Sequence, residues 1–417
     1  MKLQKIINRL QKLHPKEIDL SLNRIKKLCK KLGNPQDDIN CIQVAGTNGK
    51  YSTIQALRAI LKEAGIICNI YTSPHIKKIN ERFIFNNKEI TDNELIDLLT
   101  EVEKINAGDK ITYFEFLTAA FFYGCKKYAK NLTICEFGLF ARFDAVNILK
   151  KNIASIVTSI GLDHLDWLPK NNQTIEKIIF EKTSSLLNSK IIIAKQTSKK
   201  ITNNIKKLIS KNSSKKIIFN KDYNFKLKKK KFFYKDEFGI LKLPRPNVLG
   251  EFQLENISTA IATARQLKNY KITNKHIING ITKIKSIARL QEIKKGKLKN
   301  LVKKNKLLID GSHNPLGAKV LNNYLNGLKC NKHIILGMMA NKDHSGYIKY
   351  FKNISSITLV DIPNQTNSIK GNDLKKRLNR FPHSQYKKSI QDAIKSIDLK
   401  KNDIILITGS LYLCSEI

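Results

Sequence analysis

Short apolar runs alternate with segments of helical periodicity along most of the chain. The strand-like runs are CIQVA (41–45), GIICNIY (65–71), LTICEF (132–137), IASIVTS (153–159) and KIIIAK (190–195). Between the first two, TIQALRAILKEAG puts Ile54, Leu57, Ile60, Leu61 and Ala64 on one helical face, and Gly65 supplies the stop. Such a β-α-β rhythm predicts a largely parallel sheet with helices on both faces. Residues 215–245 change character, becoming alternating and lysine-rich with a turn at KDEFG, which predicts an antiparallel hairpin excursion. A helix reopens at LENISTAIATARQL. After SIARLQEI (286–293) a second α/β series begins: KLLID (306–310), HIILG (333–337), SITLV (356–360) and DIILIT (403–408). The expected architecture is therefore α/β in two domains, 1–285 and a smaller, Rossmann-like 286–417. A length of 417 residues suits that division.

Composition narrows the class. The longest apolar segment, Phe114 to Cys125, is interrupted by Glu115 and Thr118 and falls short of the roughly 18 residues of a membrane span. The opening MKLQKIINRLQKLHPKE intersperses lysines among Leu3, Ile6, Ile7, Leu10 and Leu13, a helical spacing unlike the segregated charge and apolar core of a signal peptide. Seven cysteines show no CxxC pair and no Cys/His ligand spacing, which fits free thiols in a reducing compartment. A soluble cytoplasmic protein is expected. The net charge of +42 is spread along the whole chain together with abundant Ile and Asn, a compositional drift rather than a selected basic patch. The densest run, KLKKKKFFYK (226–235), reads as a solvated hairpin. No nucleic-acid or membrane partner is expected, although a positive field helps to attract a polyanionic small substrate.

The chemistry begins at QVAGTNGKYST (43–53). A phosphate loop needs a strand that ends, a tight glycine turn, a lysine, and a helix whose first amides face the anion. Gly46, Gly49 and Lys50 meet that need, and Ser52 and Thr53 begin the helix. The spacing is not that of G-x-x-x-x-G-K-[ST], because Val44 holds the place of the first glycine. A strand-to-helix turn that merely contains two glycines is the plain alternative. A lysine at the helix start argues against it, since a cation there opposes the helix dipole unless it has an anion to hold.

VAGTNGKYST resembles the VAGTNGKGS signature of folylpolyglutamate synthases, including the bifunctional dihydrofolate synthases, within the Mur ligase superfamily. The resemblance continues in order over nearly the whole chain. LHPKEIDLSLNRIKKLCKKLGNP (13–35) is similar to the family's N-terminal segment, YTSPHIKKINERF (71–83) to its SPHL…NER element, and ITYFEFLTAAFF (111–122) to its T-x-FE-F-LT helix. EFGLFARFDAVN (136–147) resembles EVGLGGRLDATN, and LDHLDWL (162–168) resembles LDH-x-DWLG. FEKTSS (180–185) is like EKAG and LGEFQLEN (249–256) like G-x-HQ-x-x-N; ARLQ, IDGSHNP, NKD and ITGSLYL follow in the second half. Each match alone is weak, and their order is what makes the resemblance specific.

The resemblance implies an N-terminal ATP- and pterin-binding domain and a C-terminal glutamate-ligase domain. It also implies a reaction joining the amino group of L-glutamate to the carboxylate of dihydropteroate or of a folate, with ATP as co-substrate and Mg²⁺ as cofactor. A carboxylate is a poor electrophile because oxide would have to leave; phosphorylation turns that oxygen into a good leaving group, and the amine attacks the acyl phosphate. The phosphoryl step rests on positioning and charge neutralisation. For ATP the matching residues are Gly46, Thr47, Asn48, Gly49, Lys50 and Ser52 at the phosphates and Asn256 near the base. Arg289 at the domain junction would close a fork of donors onto a phosphate, with Asp310 and His313 reaching the nucleotide from the second domain. Magnesium would be held by Ser73, Glu136 and His164, and by Lys182 as its carbamate. Alone, His164 reads better as a core-lining histidine, but Asp163, Asp166 and Trp167 beside it favour a site. Lys50, His164 and Lys182 are the expected catalytic residues. The pterin slot falls to Asp19, Leu20, Ser21 and Leu22, to Thr112, Tyr113, Phe114 and Glu115, and to Phe143, Asp144 and Ala145, with Phe114 stacking on the ring and Asp144 accepting its N–H groups. The aromatic run at 121–123 reads as helix core. Lys342 and Asp343 are candidates for placing glutamate. A monomer is expected.

Six positions depart from the family pattern, among them Thr183 and Ser184, which replace the Ala-Gly of EKAG. Tyr51 replaces the second loop glycine, Phe140 and Ala141 replace the paired glycines of GLGG, and Phe252 replaces a histidine. If Tyr51 lies in the first helical turn its φ is negative and its amide is retained, so the loop still works. The alternatives are a monofunctional folylpolyglutamate synthase, a peptidoglycan-type Mur ligase, which TYFEF and FDA argue against, and a basic nucleic-acid-binding relative that has lost catalysis.

Overall fold

The computed structural model describes residues 2–16, 19–212, 214–228, 231–378 and 384–417. Residues 229 and 230 of the lysine-rich run and 17 and 18 of the N-terminal segment lie outside the described residues. The chain packs as two compact units. The first comprises Met1–Gly161, Lys170–Asn247 and Glu255–Ile284, and the second Leu162–Pro169, Val248–Leu254 and Lys285–Ile417.

The first unit is built on a sheet of eight strands: β1 (Cys41–Ala45), β2 (Cys68–Tyr71), β3 (Phe83–Phe85), β4 (Lys88–Glu89), β5 (Leu132–Glu136), β6 (Ala154–Val157), β7 (Lys190–Ile193) and β8 (Lys216–Ile218). Their order is β4-β3-β2-β5-β1-β6-β7-β8. From β2 to β8 along the sheet every pairing is parallel, and only the pairings β2–β3 and β3–β4 are antiparallel. β1 and β5 are buried along their whole length, which is why they read as continuous apolar runs rather than alternating ones. The first four strands expected from the sequence stand within three residues of their predicted bounds. Lys216–Ile218 corrects the reading of 215–245: it joins the parallel sheet beside β7 instead of opening the hairpin.

The antiparallel excursion is a three-stranded meander, β9 (Tyr223–Lys228), β10 (Lys231–Asp236) and β11 (Gly239–Leu243). Phe232 and Tyr234 are buried while Lys231 and Lys235 are exposed, the alternation of a sheet with one wet face. The aromatic run after Tyr113 behaves as core. Phe121 stacks on Tyr71 and Phe85 at centroid distances of 5.0 and 5.3 Å, and Phe121 and Phe122 are fully buried. Among the described residues no helix is long and apolar enough to cross a membrane.

The second unit holds β12 (Gln291–Ile293), β13 (Lys306–Asp310), β14 (Lys332–Leu336), β15 (Ser356–Val360), β16 (Ser384–Lys387) and β17 (Ile404–Thr408), ordered β12-β13-β17-β14-β15-β16. All pairings are parallel except β12 with β13. The four interior strands are the four apolar runs of the sequence. The two edge strands, QEI and SQYK, are half-buried and polar and carry no periodic signal. Leu308, Ile334, Leu336, Leu359 and Leu406 pack with Leu321 and Leu325 of the helix Pro315–Asn326 into one core, and Phe252 packs against it. Phe252 thus has an apolar partner surface.

The helix that starts at Lys50 is held by a close helix–helix approach. It runs from Lys50 to Glu63 and meets the helix Asn274–Ile281 at Gly280, where an added Cβ would lie 2.6 Å from the Ile60 Cα. Backbone cannot yield as a flexible side chain can. Gly280→Ala is therefore expected to destabilise the protein by about 1–3 kcal/mol despite alanine's better helix propensity, read from the midpoint of urea unfolding.

Candidate active site

β1 ends at Ala45 and the chain turns at once. Gly46 has φ +142°, and a Cβ there would fall 1.9 Å from the Thr158 Oγ1. Gly49 has φ +92° and caps the helix Lys50–Glu63, with its Cα against Asn256, whose Oδ1 would lie 2.4 Å from an added Cβ. Both glycines are thus required by conformation and by close approach. The amides of Thr47 and Asn48 donate to the Ser159 carbonyl at 2.9 and 3.1 Å, stapling the loop to the end of β6. The Thr47 hydroxyl donates to the Gly161 carbonyl at 3.0 Å. Tyr51 is the second residue of the helix and half-buried, in right-handed conformation, and Ser52 is buried one position on.

Lys50 folds back over this turn. Its ammonium donates to the carbonyls of Gly46 and Thr47 at 3.3 and 3.4 Å and lies 3.8 Å from the Glu136 carboxylate. Glu136 is the last residue of β5, buried, and pairs in register with Val44 of β1. Its other oxygen accepts the Ser73 amide at 3.2 Å. Gly46–Lys50, Glu136 and Ser73 therefore gather at the carboxyl ends of the adjacent strands β1, β5 and β2, where open α/β sheets bind ligands. The Ser73 hydroxyl is buried with no hydrogen-bond partner. An orphaned hydroxyl beside a buried carboxylate is the hard-oxygen donor set that Mg²⁺ takes. Among the described residues no three His, Cys, Asp or Glu side chains form a cage. Lys182 is buried as well, its Nζ donating to the Gly46 carbonyl at 3.0 Å and the Leu139 carbonyl at 2.6 Å. The Phe140 ring centroid lies 5.5 Å from that Nζ.

The expected pterin residues form a connected group in the same unit. Thr112 caps the helix Tyr113–Cys125, and Glu115 completes the box by accepting the Thr112 amide and hydroxyl at 2.9 and 2.8 Å. Arg24 ties Glu115 to Asp19, each at 2.9 Å. The Phe114 ring closes over Gly138, where a Cβ would sit 2.9 Å from its Cζ. Asp144 accepts the amides of Gly138, Leu139 and Val146 at 2.8, 3.2 and 3.0 Å. Burial pushes its carboxyl up to about 6 against these amides, which favour the charged form. Asp144 shapes the GLFARFDA loop before it meets any ligand. Arg142 lies over the Phe143 ring, 4.2 Å from its centroid, and forms a two-pronged ion pair with Glu181. Phe140 and Ala141 are buried, and neither has a positive φ, so no glycine is needed at either position.

In the second unit Asp310 ends β13, buried, and accepts the Leu290 and Ser312 amides at 2.7 and 2.8 Å. Burial raises its carboxyl above the usual range. Ala288 and Leu290, either side of Arg289, both take φ of +50°, and these bonds hold that strained turn in place. The Arg289 guanidinium donates to the Ala288 carbonyl at 3.0 Å. His164 has φ +57° and stands at the head of the turn Leu165–Trp167. Its neighbour Asp163 is the hub: the carboxylate accepts Asn314 at 2.9 Å and Lys342 at 3.1 Å, with His313 at 3.6 Å and the His164 ring at 3.8 Å. Burial works to raise Asp163, yet the charges of His164, His313 and Lys342 hold it well below the ordinary carboxylate range. The structure separates Lys342 from Asp343, which caps the short helix His344–Ile348 by accepting the Gly346 amide. Asp163, Arg24 and the paired Arg142 and Glu181 are polar residues that sequence reasoning left without a role. The signal for Asp163 was its place in LDHLDW, and for Arg24 its place in the N-terminal segment 13–35.

Residues 44–264 match the Mur ligase middle domain, and residues 288–411 match the Mur ligase, glutamate ligase domain. The chain belongs to the Mur ligase family. Within it, this Mur ligase is 30% identical over 417 residues to the dihydrofolate synthase/folylpolyglutamate synthase of Buchnera aphidicola subsp. Acyrthosiphon pisum, covering 98% of this chain and 95% of that one. Among solved structures, Escherichia coli FolC in complex with DHPP and ADP is 26% identical, with a TM-score of 0.87 and coverage of 99% of this chain and 96% of that one. The bifunctional folylpolyglutamate synthase/dihydrofolate synthase of Yersinia pestis, complexed with AMPPNP and Mn, shares the fold at 24% identity, a TM-score of 0.86 and coverage of 99% and 96%.

Tyr51 sits in the first turn of the helix that follows the glycine turn, with helical backbone, so glycine is not required there. Tyr51→Gly is expected to leave the KM for ATP within about threefold, under roughly 0.7 kcal/mol. A tenfold improvement in steady-state assays would show the ring obstructing the nucleotide.

Proposed function

We infer that this Mur ligase joins L-glutamate to dihydropteroate and to folates with ATP, as a dihydrofolate synthase/folylpolyglutamate synthase working through an acyl phosphate. The observation that carries the reading is the convergence of Lys50, Glu136 and Ser73 behind a glycine turn, in a chain matching such synthases end to end.

In this reading residues 1–285 bind ATP and the pterin, and residues 286–417 form the glutamate-ligase domain. The first-turn amides at 49–52 and the Lys50 ammonium take the phosphates, so charge building on the transferred group meets fixed donors. Asn256 shapes the loop from behind Gly49, and Arg289, Asp310 and His313 serve the nucleotide. Phe114 offers a stacking face for the pterin, and the loop shaped by Asp144 presents Phe143 and Ala145 to it. Asp19–Leu22 and Thr112–Glu115, joined through Arg24, complete that slot. Ser73 and Glu136 would hold Mg²⁺, which would supply neutralisation of phosphate oxygens; His164, and Lys182 as its carbamate, are the further ligands that the resemblance implies. The substrate carboxylate attacks the γ-phosphorus and ADP leaves. The glutamate amine then adds to the acyl carbon, phosphate departs, and the amine loses its proton as the amide forms. A cytoplasmic monomer acting on small molecules, without nucleic-acid or membrane partners, fits this chemistry.

Lys182 takes part in metal binding only as its carbamate, the anionic form. Crystals grown with bicarbonate and nucleotide should show density for CO₂ on its Nζ, and a bare ammonium in an active, nucleotide-bound crystal rejects the assignment. For the activity itself, purified protein is incubated with ATP, Mg²⁺, glutamate and either dihydropteroate or tetrahydrofolate. Phosphate release that depends on both acceptors is the expected result. Release with tetrahydrofolate alone reduces the activity to polyglutamylation. Release with neither, alongside salt-sensitive DNA binding, overturns the ligase reading.

A further inference from the structure

Asp163 receives more contacts than a turn residue needs. It is 9% exposed, and its two oxygens draw on three separate segments of the second unit. Oδ1 accepts the His164 amide at 2.9 Å and the Lys342 ammonium at 3.1 Å. Oδ2 accepts the Asn314 amide group at 2.9 Å and faces His313 Nε2 at 3.6 Å. The ring of His313 is set from its other side by the Gly311 carbonyl, 3.1 Å from Nδ1. Asn314 is fixed in turn, since its side-chain oxygen caps the helix Pro315–Asn326.

Stability gives little reason for this arrangement. A buried ion pair can often be replaced by apolar side chains without loss, so its benefit lies in where it places charged groups. The group placed here is Lys342. An ammonium on a four-carbon stem is mobile unless held; Asp163 holds it through one of its three N–H donors. The side chain is 13% exposed, so the cation is half-desolvated and oriented rather than loose in solvent. Lys342 follows β14 and the loop of Ser312–Asn314 follows β13, so both stand at the carboxyl ends of parallel strands, the ligand-binding edge of such a sheet. Both also lie in the part of the chain that matches the glutamate ligase domain. The substrate of that domain's reaction brings two carboxylates, each needing a cation.

We propose that Asp163 is a positioning residue for the incoming amino acid: it fixes the Lys342 ammonium to receive a carboxylate of L-glutamate. The proposal rests on the ligase reading above. It separates the two residues that the NKD motif offered together, because the Asp343 carboxylate caps a helix whereas the Lys342 ammonium is held by Asp163.

The test is a double-mutant cycle on the full-length protein, with glutamate varied at saturating ATP, Mg²⁺ and dihydropteroate. Asp163→Asn keeps the side chain's shape and removes its charge. It is expected to raise the KM for glutamate about tenfold or more, while the KM for ATP stays within about twofold. Lys342→Met should give a similar increase. The double variant should be no worse than Lys342→Met alone, because Asp163 acts through the lysine. Asp163→Glu, which restores the charge, should recover part of the loss. Fully additive effects, or equal rises in the KM for glutamate and for ATP, overturn the proposal while leaving the ligase reading intact. Loss of the fold in both Asp163 variants assigns the residue to stability alone and also overturns it. No turnover by the wild-type protein with either acceptor overturns the ligase reading and this inference with it.

Discussion

A lysine ammonium and a glutamate carboxylate stand 3.8 Å apart behind a glycine turn, and the first unit is arranged around keeping them there. Neither charge could be buried alone, since an unpaired ion in a dry interior costs several kcal/mol. Parallel pairing of β1 with β5 puts Glu136 opposite Val44, so the carboxylate meets the loop that leaves β1 two residues later. The loop can turn back onto it only because Gly46 and Gly49 adopt left-handed or extended-positive backbone and lie flush against Thr158 and Asn256. Ser73 arrives from β2 on the far side of β5. Three chain segments distant in sequence are thereby brought to one sheet edge, each by an ordinary parallel register.

Buried carboxylates organise most of the remaining polar structure, and they do so through backbone amides. Asp144 gathers three amides of its own loop. Asp310 ties the strained turn at Ala288–Leu290 to the end of β13. Glu115 completes a helix cap and accepts Arg24. An ionised carboxylate accepts as many as four hydrogen bonds, so one residue can fix a turn and still present an edge to a ligand. Family resemblance marks such residues as site residues. The geometry shows that much of their work is to hold the loop in the shape that makes a site.

The departures from the family pattern are explained by the same packing. Phe140 and Ala141 fill buried space with ordinary φ values, and the Phe140 ring lies beside the Lys182 ammonium. Phe252 joins the apolar core of the second unit. Tyr51 occupies a helical position whose amide, not its side chain, belongs to the loop. None of these four residues takes a positive φ, so none needs glycine's conformational freedom.

Sequence alone determined the interior strands, the helix after the glycine turn and the order of the motifs. Burial on both faces leaves a continuous apolar run, and a helical face repeats every three to four residues; both are local signals. The edge strands β12 and β16 were not legible, because a half-buried polar strand has no pattern of its own and exists only by pairing with a neighbour. Nor was the place of Lys216–Ile218, which looks like the start of a hairpin until β7 is beside it. Motif spelling marked Lys50, Glu136 and Ser73 separately, but only the strand order β2-β5-β1 decided that they meet. Asp163 shows the limit most clearly. Its partners lie some 150 to 180 positions along the chain, at Asn314 and Lys342, and a contact across that separation is set by how strands and loops pack in space, which no local pattern records.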